Sequence, residues 1–119
     1  MKRFFLILTL LFLILQPALS NGEEYSLLRE WGTQGSGDGQ FNLPNDVAVD
    51  SSGEVYVADT YSHRIQKLDS GGGFLTKWGT DGSGDGQFIF HNSLAVDGSG
   101  DVYVADTNNN RIQVFVSHG

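Results

Sequence analysis

The chain has 119 residues, no cysteine and a net charge of −7, from 14 acidic and 7 basic side chains. The absence of cysteine excludes disulfides, thiolate metal sites and a cysteine nucleophile. The acidic balance, with no basic patch or stripe, argues against nucleic-acid binding, because phosphate backbones are bound mainly through Lys and Arg.

The first twenty residues have the three parts of a secretory signal peptide. A basic start at Lys2-Arg3 precedes the uncharged and largely apolar residues 4–15, and the small residues Ala18 and Ser20 follow. This pattern predicts cleavage after Ser20 and a secreted or periplasmic protein. The alternative is a signal anchor, although spanning a bilayer takes about 20 apolar residues and a Gln-Pro pair interrupts this stretch.

The rest of the chain is a tandem repeat with a period of 47 residues. Of the 45 positions from Leu28 to Gly72, 28 are identical in the second copy. A period of about 20 to 50 residues indicates a propeller, a solenoid or another repeat array. The mature chain is therefore divided into two repeats, at about residues 25–72 and 73–119.

Short strands joined by glycine-rich turns are predicted along both repeats, and no stretch has the spacing of an amphipathic helix. Residues 32–40 are too rich in glycine for a helix or a strand. Hairpin turns are predicted at Asp50-Ser51-Ser52-Gly53 and at residues 69–73. The predicted strands up to the second repeat are residues 25–31, 46–49, 54–58, 64–68 and 74–78.

The strand at Val55–Ala58 is apolar at every position. A sheet with one wet face would alternate apolar and polar side chains, so both faces of this sheet should be covered. Small four-stranded sheets stacked around an axis meet that requirement. We therefore predict an all-β fold with two four-stranded antiparallel propeller blades.

Two stretches resemble the NHL-repeat family. They are V-A-V-D-S-S-G-E-V-Y-V-A-D-T-Y-S-H-R-I-Q (Val47–Gln66) and L-A-V-D-G-S-G-D-V-Y-V-A-D-T-N-N-N-R-I-Q (Leu94–Gln113). The resemblance implies four-stranded blades, usually six to a closed ring. The second copy departs from the first where Pro44 becomes His91 and where residues 61–63 become three asparagines.

Two blades alone leave two apolar sheet faces uncovered, since a repeat stack needs about three units to bury its faces. The predicted strand at residues 25–31 is a spare outer strand, whereas the last blade lacks one. One hypothesis is a cyclic homotrimer of six blades in which residues 25–31 of one chain complete the last blade of its neighbour. The alternative is that the sequence is part of a longer propeller.

The loops at one end of the blades are the candidate binding surface, because binding residues tend to lie on loops held by a rigid scaffold. Sequence differences between the copies at residues 61–63 and 108–110 indicate recognition or, equally, drift on a solvated loop. We predict a non-enzymatic binding module for a protein, peptide or glycan. The candidate ligand-binding residues are Asp38, Tyr61, His63, Asp85, Asn108 and Asn110.

Asp59 stands five residues before Arg64, and Asp106 stands five residues before Arg111. A carboxylate in this position can accept backbone N–H groups and pair with the guanidinium, which would fix the hairpin. The catalytic alternative makes them an acid–base group and an anion clamp, but a role repeated in both copies is first a packing role. The residues assigned a structural role are Asp59, Arg64, Asp106, Arg111, Trp31 and Trp78, the two tryptophans as inter-blade packing.

No catalytic residue, metal ligand or cofactor is assigned. The glycine-rich stretches at residues 35–39 and 82–86 precede strands, whereas a phosphate cradle needs a helix to follow. One carboxylate per loop is few for calcium. His63, His91 and His118 occupy three unrelated positions of the repeat, so a three-histidine zinc site is disfavoured.

Other functional classes stay open as alternatives. The peptidyl-hydroxyglycine lyases resemble the NHL propellers and hold a metal through histidines, a pattern that this sequence does not visibly reproduce. Other relatives carry ubiquitin-ligase machinery with zinc-binding cysteines, or bind RNA, and the lack of cysteine and the acidic charge speak against both. The alternatives are a fragment of a metal-dependent propeller enzyme, a lyase or hydrolase, and a structural protein of the cell envelope.

Overall fold

The structure is a computed structural model that describes residues 22–118, apart from the side chain of Asn92. The predicted signal peptide, residues 1–20, lies outside the described residues. The chain divides after Glu30 into two units. In the first unit, residues 22–30 contain no helix or strand, and the described strands all belong to the second unit.

Eleven strands and two single turns of 3-10 helix make up the described part of the second unit. The 3-10 turns are Thr60–Ser62 and Thr107–Asn109. The strands are β1 (Thr33–Gln34), β2 (Gln40–Phe41), β3 (Pro44–Val49), β4 (Val55–Asp59), β5 (Arg64–Leu68), β6 (Phe74–Trp78), β7 (Thr80–Asp81), β8 (Gln87–Phe88), β9 (His91–Val96), β10 (Val102–Asp106) and β11 (Arg111–Phe115).

Two antiparallel sheets follow one another along the chain. The first, called blade 1, has four strands in the order β3-β4-β5-β6. The second, called blade 2, has three described strands in the order β11-β10-β9. Consecutive strands are neighbours throughout, as expected for hairpins joined by short turns. The prediction of an all-β fold built from antiparallel blades is confirmed.

Turn chemistry explains where these strands begin and end. Asp50 Oδ1 accepts the backbone N–H groups of Ser52 at 2.9 Å and Glu54 at 3.0 Å. Gly53 follows with a φ of +82°, a conformation that glycine adopts without steric cost. In blade 2 the backbone N–H groups of the equivalent turn hold the pKa of Asp97 below its ordinary value. The predicted hairpin turn at residues 50–53 is thus confirmed.

Apolar side chains from both blades form the core between them, and β3 lies beside β9. A second cluster of Phe41, Val57 and Leu68 covers the opposite face of blade 1. Residues 56–58 are therefore buried on both faces, as their uniformly apolar sequence predicts. The buried residues of the shared core are Tyr56, Ala58, Ile65, Phe88, Leu94, Val102 and Val104.

Hydrogen bonds also join the two blades. Asp46 Oδ2 accepts the backbone N–H of Leu94 at 2.7 Å. The Thr60 hydroxyl donates to the carbonyl oxygen of His91 at 2.8 Å. These bonds fix how the innermost strands lie against each other, because each satisfies a polar group at a largely apolar interface.

The prediction of a strand at residues 25–31 is wrong for the described chain, in which this segment is exposed and forms no strand. Its apolar residues satisfy the local pattern, but a strand also requires a neighbouring backbone to bond to. The prediction that residues 32–40 contain no strand is also wrong. The two ends of this glycine-rich connection form the short parallel pair β1 and β2, which closes the loop upon itself.

The innermost strand begins two residues earlier than predicted, at Pro44 instead of Asp46. Its pairing with β4 shifts between Pro44 and Asp46, which marks a bulge near the strand start. A proline is tolerated at the first residue of a strand, where its missing N–H is not needed. Within residues 22–118 no helix is long and apolar enough to cross a membrane.

Candidate binding groove

The Asp59 carboxylate organises the end of β4 in blade 1. Its Oδ1 accepts the backbone N–H of Asn42 at 2.7 Å, and its Oδ2 accepts from Arg64 Nε at 2.8 Å. The carboxylate is fully buried and the guanidinium nearly so. The buried charge is therefore paired and hydrogen-bonded, which is the condition under which a protein interior tolerates it.

The Arg64 guanidinium also holds the glycine-rich connection. Nη1 donates to the carbonyl oxygen of Ser36 at 2.9 Å, and Nη2 donates to those of Gly37 and Gln40, each at 3.0 Å. All five N–H donors of an arginine lie in one plane, which suits a cluster of loop carbonyls. The glycine-rich connection is thereby fixed at the end of the blade where β5 begins.

Gln66 is a further part of this network that the sequence analysis did not single out. Its Nε2 donates to the Gln40 carbonyl at 2.6 Å, and its Oε1 accepts the Gly39 N–H at 2.9 Å. Gln113 makes the same two contacts in blade 2. A polar residue kept at the same position of a buried strand in both repeats was the available signal.

Blade 2 repeats this arrangement of an aspartate, an arginine and a glycine-rich connection, which we call a corner. Arg111 Nε donates to Asp106 Oδ2 at 2.9 Å, and Asp106 Oδ1 accepts the N–H of Ile89 at 2.9 Å. Burial alone would raise the pKa of the Asp106 carboxyl, but hydrogen bonds from Asn109, Ile89 and Arg111 outweigh it and lower the pKa. Asp106 is therefore ionised at neutral pH and fastens the loop.

These corners bring the glycine-rich connections and the 3-10 turns to one end of the two blades, which we call the loop end. The loops that were expected to share a surface do so. Tyr61 N–H donates to the Asn42 carbonyl at 3.2 Å, and Asn108 N–H donates to the Ile89 carbonyl at 3.1 Å. Each 3-10 turn is thus bonded to the segment that leads into the innermost strand of its blade.

A groove of about 470 Å³ lies at the loop end between the two blades. The Tyr61 and Phe90 rings meet edge to face with centroids 5.6 Å apart, and both are exposed. Asn45 and Asn108 supply amide groups beside them. We call this the loop groove; it is lined by Leu43, Pro44, Asn45, Thr60, Tyr61, Phe90, Thr107 and Asn108.

The backbone presents two of the apolar groove residues in an unusual conformation. Leu43 and Phe90, which are equivalent in the two repeats, have φ values of +51° and +50°. Non-glycine residues rarely adopt positive φ, and such strain clusters at functional sites. Sequence analysis missed both residues, because no glycine or asparagine marks these positions.

Only two of the six candidate ligand-binding residues, Tyr61 and Asn108, line the loop groove. His63 and Asn110 end the 3-10 turns in the left-handed conformation, each with a φ of +53°. His63 Nδ1 is 3.6 Å from Asp81 Oδ1, too far for a hydrogen bond. These two residues shape the turns.

Asp38 and Asp85 lie on the glycine-rich connections, outside the groove lining. Asp38 Oδ1 is 2.7 Å from Lys77 Nζ, in an ion pair whose two side chains are both about half exposed. Exposed pairs of this kind contribute little to stability. Asp85 is exposed at the equivalent position of blade 2.

The two tryptophans pack differently. The Trp78 ring centroid lies 5.6 Å from Phe115 and 6.5 Å from Tyr56, so this side chain bridges the two blades. Trp31 lies over Gly72 of blade 1, where an added Cβ would approach the indole to 2.5 Å.

His91 is buried and stacks on Phe88 with centroids 4.5 Å apart. Its Nε2 is 2.8 Å from the Arg64 carbonyl oxygen, which can only accept, so Nε2 carries the proton. Burial lowers the pKa of His91 and outweighs the opposing effect of that hydrogen bond. Across residues 22–118, no cluster of three His, Asp or Glu side chains is arranged to hold a metal ion.

The repeated blades, their shared core and the loops gathered at one end define a protein of the β-propeller type. The chain matches the family model described as NHL repeat, at residues 41–68 and 92–115. Each copy of the tandem repeat therefore contains an NHL repeat, and the resemblance noted in the sequence is confirmed.

Several curated proteins are similar to part of this chain. The human E3 ubiquitin-protein ligase TRIM32 is 47% identical over 49 residues, which cover 41% of this chain and 8% of the relative. The human NHL repeat-containing protein 3 is 39% identical over 51 residues, covering 43% and 15%. The Drosophila melanogaster protein brain tumor is 44% identical over 45 residues, covering 38% and 4%.

The chain spans between 4% and 15% of the length of these relatives. Among solved structures, a structural genomics protein of unknown function from Bacteroides thetaiotaomicron has a TM-score of 0.55 at 24% identity. That match covers 63% of this chain and 21% of the other. At this identity the match shows the fold alone.

Proposed function

We propose that this NHL-repeat chain is a non-enzymatic binding module that takes a protein or peptide partner in the loop groove. The observation that carries the proposal is the exposed pair of Tyr61 and Phe90 beside the amides of Asn45 and Asn108. Aromatic anchors flanked by a few hydrogen-bonding groups are typical of protein-binding surfaces.

The rigidity of the groove supports this proposal. Main-chain hydrogen bonds tie both 3-10 turns to the segments before the innermost strands, and aspartate–arginine ion pairs fix the adjoining loops. The groove residues are therefore already placed before a partner arrives. A pre-organised surface binds more tightly, because less conformational freedom is lost on association.

The preferred partner has an extended segment with an apolar side chain for the aromatic pair and a basic or neutral surface around it. Leu43, Tyr61 and Phe90 supply the apolar contact, and the chain as a whole carries a net charge of −7. Opposite charge speeds the encounter and selects against acidic partners. A glycan stacked on Tyr61 is the alternative ligand.

We further propose that the partner is met outside the cytoplasm, after removal of residues 1–20. The support is the signal-peptide pattern of this segment. Expression of the full 119-residue chain followed by N-terminal sequencing tests the location. We expect secreted or periplasmic protein that begins at Asn21, and protein retained in the cytoplasm with an intact Met1 would contradict the proposal.

The groove is tested by selecting peptides from a random phage-displayed library on the immobilised protein. The selected peptides are synthesised and titrated by calorimetry against the parent protein and Tyr61→Asn. Asparagine occupies the equivalent position, Asn108, in a 3-10 turn of the same form, so this variant should keep its fold. We expect the dissociation constant to rise at least about tenfold, as for loss of a central aromatic anchor.

The control is Leu75→Asn, which removes an exposed apolar side chain from β6 outside the groove lining. Its dissociation constants should equal those of the parent protein. A library that yields no peptide sensitive to Tyr61→Asn would overturn the proposal. Glycan-array binding that depends on Tyr61, without any peptide binding, would replace it with the glycan alternative.

A further inference from the structure

Identical side chains of the two repeats have opposite environments. Tyr56 is 4% exposed and Ile65 is 0% exposed, because blade 2 covers them. Their equivalents Tyr103 and Ile112 are 39% and 64% exposed. Blade 2 therefore presents the same apolar face that blade 1 buries, without a described element on top of it.

Blade 1 presents the complementary half of that interface. Val47 is largely exposed, whereas its equivalent Leu94 is buried in the shared core. A pocket of about 460 Å³ opens on this side of blade 1, between Trp31, Phe41 and Pro44.

In blade 2 the position equivalent to this pocket is filled by the backbone of residues 63 and 64. Gly79 lies so near the His63 carbonyl that a Cβ would approach it to 2.8 Å, and His91 Nε2 contacts the Arg64 carbonyl. The pocket on blade 1 is therefore the place that residues 110 and 111 of a preceding blade would occupy.

Among residues 22–118 no strand pairs with the outer edge of β11, whereas its counterpart β5 in blade 1 pairs with β6. In blade 1 the first residue of that outer strand, Phe74, packs against the cluster around Leu68. In blade 2 the corresponding space is a cavity of about 380 Å³ lined by Tyr56, Trp78, Val102 and Phe115, among others.

The chain contains a segment that matches the missing strand. Residues Leu27–Trp31 (L-L-R-E-W) stand 47 positions before Phe74–Trp78 (F-L-T-K-W). Trp31 and the connection after it are fixed on blade 1, as Trp78 and its connection are fixed on blade 2. By this equivalence the sequence of Leu27–Glu30 corresponds to that of an outer strand.

We propose that a second copy of this chain docks head to tail, with its blade 1 on blade 2 and its Leu27–Trp31 segment added to β11 as the fourth strand. Strand addition supplies main-chain hydrogen bonds, and the side-chain pocket supplies specificity. The register of β5 with β6 places Leu27 of the second copy opposite Phe115, where its side chain enters the 380 Å³ cavity.

The arrangement closes on itself. The described residues of each copy leave one blade face of each kind uncovered, and head-to-tail contacts form rings when the rotation closes. Propellers hold about four to eight blades, so two to four copies complete a ring, and three copies give six blades. The uncovered strand edge of each chain is then paired, which removes a template for aggregation.

One charge pair opposes the docking. In blade 1 Lys77 pairs with Asp38, whereas the equivalent positions in the assembly are Glu30 of the second copy and Asp85. Two exposed like charges weaken the contact slightly, and salt screens them. Asp85→Lys restores the opposite charge, so we expect this variant to assemble at lower concentration than the parent protein.

Engineered disulfides test the register, since the chain contains no cysteine. The pair Arg29→Cys with Val114→Cys corresponds to Thr76 opposite Lys67 in blade 1. Opposed residues of antiparallel strands lie about 4.5–5.5 Å apart at Cα, within the range that a disulfide spans. The control pair is Arg29→Cys with Ser51→Cys, since Ser51 lies in the exposed hairpin turn of blade 1.

We expect the Arg29/Val114 pair to form disulfide-linked multimers on oxidation and the control pair to form few. Disulfides formed only within single chains, or equal yields from both pairs, would overturn the proposal. The measurement is non-reducing electrophoresis of the full chain expressed with its own N-terminal segment.

A pair of neighbouring leucines provides a test without cysteine. Leu27→Lys places a charge in the cavity, whereas Leu28→Lys alters the position equivalent to the exposed Leu75. Light scattering on the parent protein should give two to four chain masses, retained by Leu28→Lys and reduced to one by Leu27→Lys. A monomeric parent protein at about 100 μM, a usual working concentration for weak assemblies, or equal behaviour of the two variants would contradict the proposal.

Discussion

At the residue scale, two carboxylates decide how the loop end is held. Asp59 and Asp106 make equivalent contacts, but the Arg64 side chain is almost fully buried and Arg111 is partly exposed. A buried charge that loses its partner is costly, whereas water compensates an exposed one. The two corners therefore have the same geometry but should contribute differently to the free energy of unfolding.

Asp59→Asn should destabilise the protein more than Asp106→Asn does. The asparagine leaves Arg64 without a counter-charge and turns an N–H donor toward other donors, which should cost about 3–5 kcal/mol at a buried site. Urea unfolding of both variants measures the difference in the free energy of unfolding. Equal losses would show that burial does not separate the two corners.

His91 should make stability depend on pH near neutrality. Because burial lowers its pKa in the folded protein, the unfolded chain binds the proton more readily. The free energy of unfolding should be constant above the ordinary histidine pKa of about 6.5 and decrease as the pH falls below it. Urea midpoints between pH 8 and pH 5 measure this decrease.

The control for this prediction is His91→Gln, which can donate to the Arg64 carbonyl but does not titrate. Its midpoints should vary less over the same range. The lowered pKa of Asp97 and Asp106 affects stability only below about pH 4, where aspartates take up protons, so the two effects separate. An unchanged slope in His91→Gln would assign the pH dependence to another group.

At the element scale, a glycine-rich connection can pass close to another backbone segment because its glycines have no side chain. Gly79 has a φ of +108°, and an added Cβ would lie 2.8 Å from the carbonyl oxygen of His63 and 2.5 Å from the Phe88 ring. Neither neighbour can move without disturbing the core between the blades. This position therefore admits glycine alone.

Gly79→Ala should lower the free energy of unfolding by about 1–3 kcal/mol, from the strained backbone and the clash. Gly98→Ala is the matched control, since no atom lies within 4 Å of its added Cβ. It should change stability by less than about 0.5 kcal/mol, as surface substitutions usually do. Thermal or urea unfolding compares the two, and equal effects would refute the close approach.

Most elements of the fold could be predicted because their signals are local. The strands at residues 64–68 and 74–78 have the predicted bounds, and the hairpin turn at residues 50–53 forms where it was predicted. Turn residues act on their own neighbours, and an apolar run shows that a strand is covered on both faces. The 47-residue repeat then indicated that one blade is the repeating unit of the fold.

Other features escaped prediction because they depend on what lies across space. Residues 25–31 have a strand pattern but no partner strand in the described chain. The loop groove depends on Leu43 and Phe90 at positive φ, which the fold imposes on residues that do not favour it. His63 and Asn110 lie outside the groove lining, so their predicted role in ligand binding stays a prediction.

At the scale of the whole molecule, the two repeats are one structural unit used twice, and they differ in which face is covered. The blade interface inside the chain shows how a further blade would sit against either open face. This is why apolar residues identical in the repeats are buried in one and exposed in the other. Stability should therefore depend on protein concentration, as it does for proteins that fold and assemble together.

The most direct measurement of this claim is urea unfolding of Ile65→Ala and Ile112→Ala over a hundredfold range of protein concentration. Ile65→Ala should cost about 2–5 kcal/mol throughout, as for a buried isoleucine. Ile112→Ala should cost about the same where the protein is assembled and much less on dilution, as its exposed face becomes free. Losses for the two variants that stay equal on dilution, or an Ile112→Ala protein as stable as the parent at every concentration, would contradict the account.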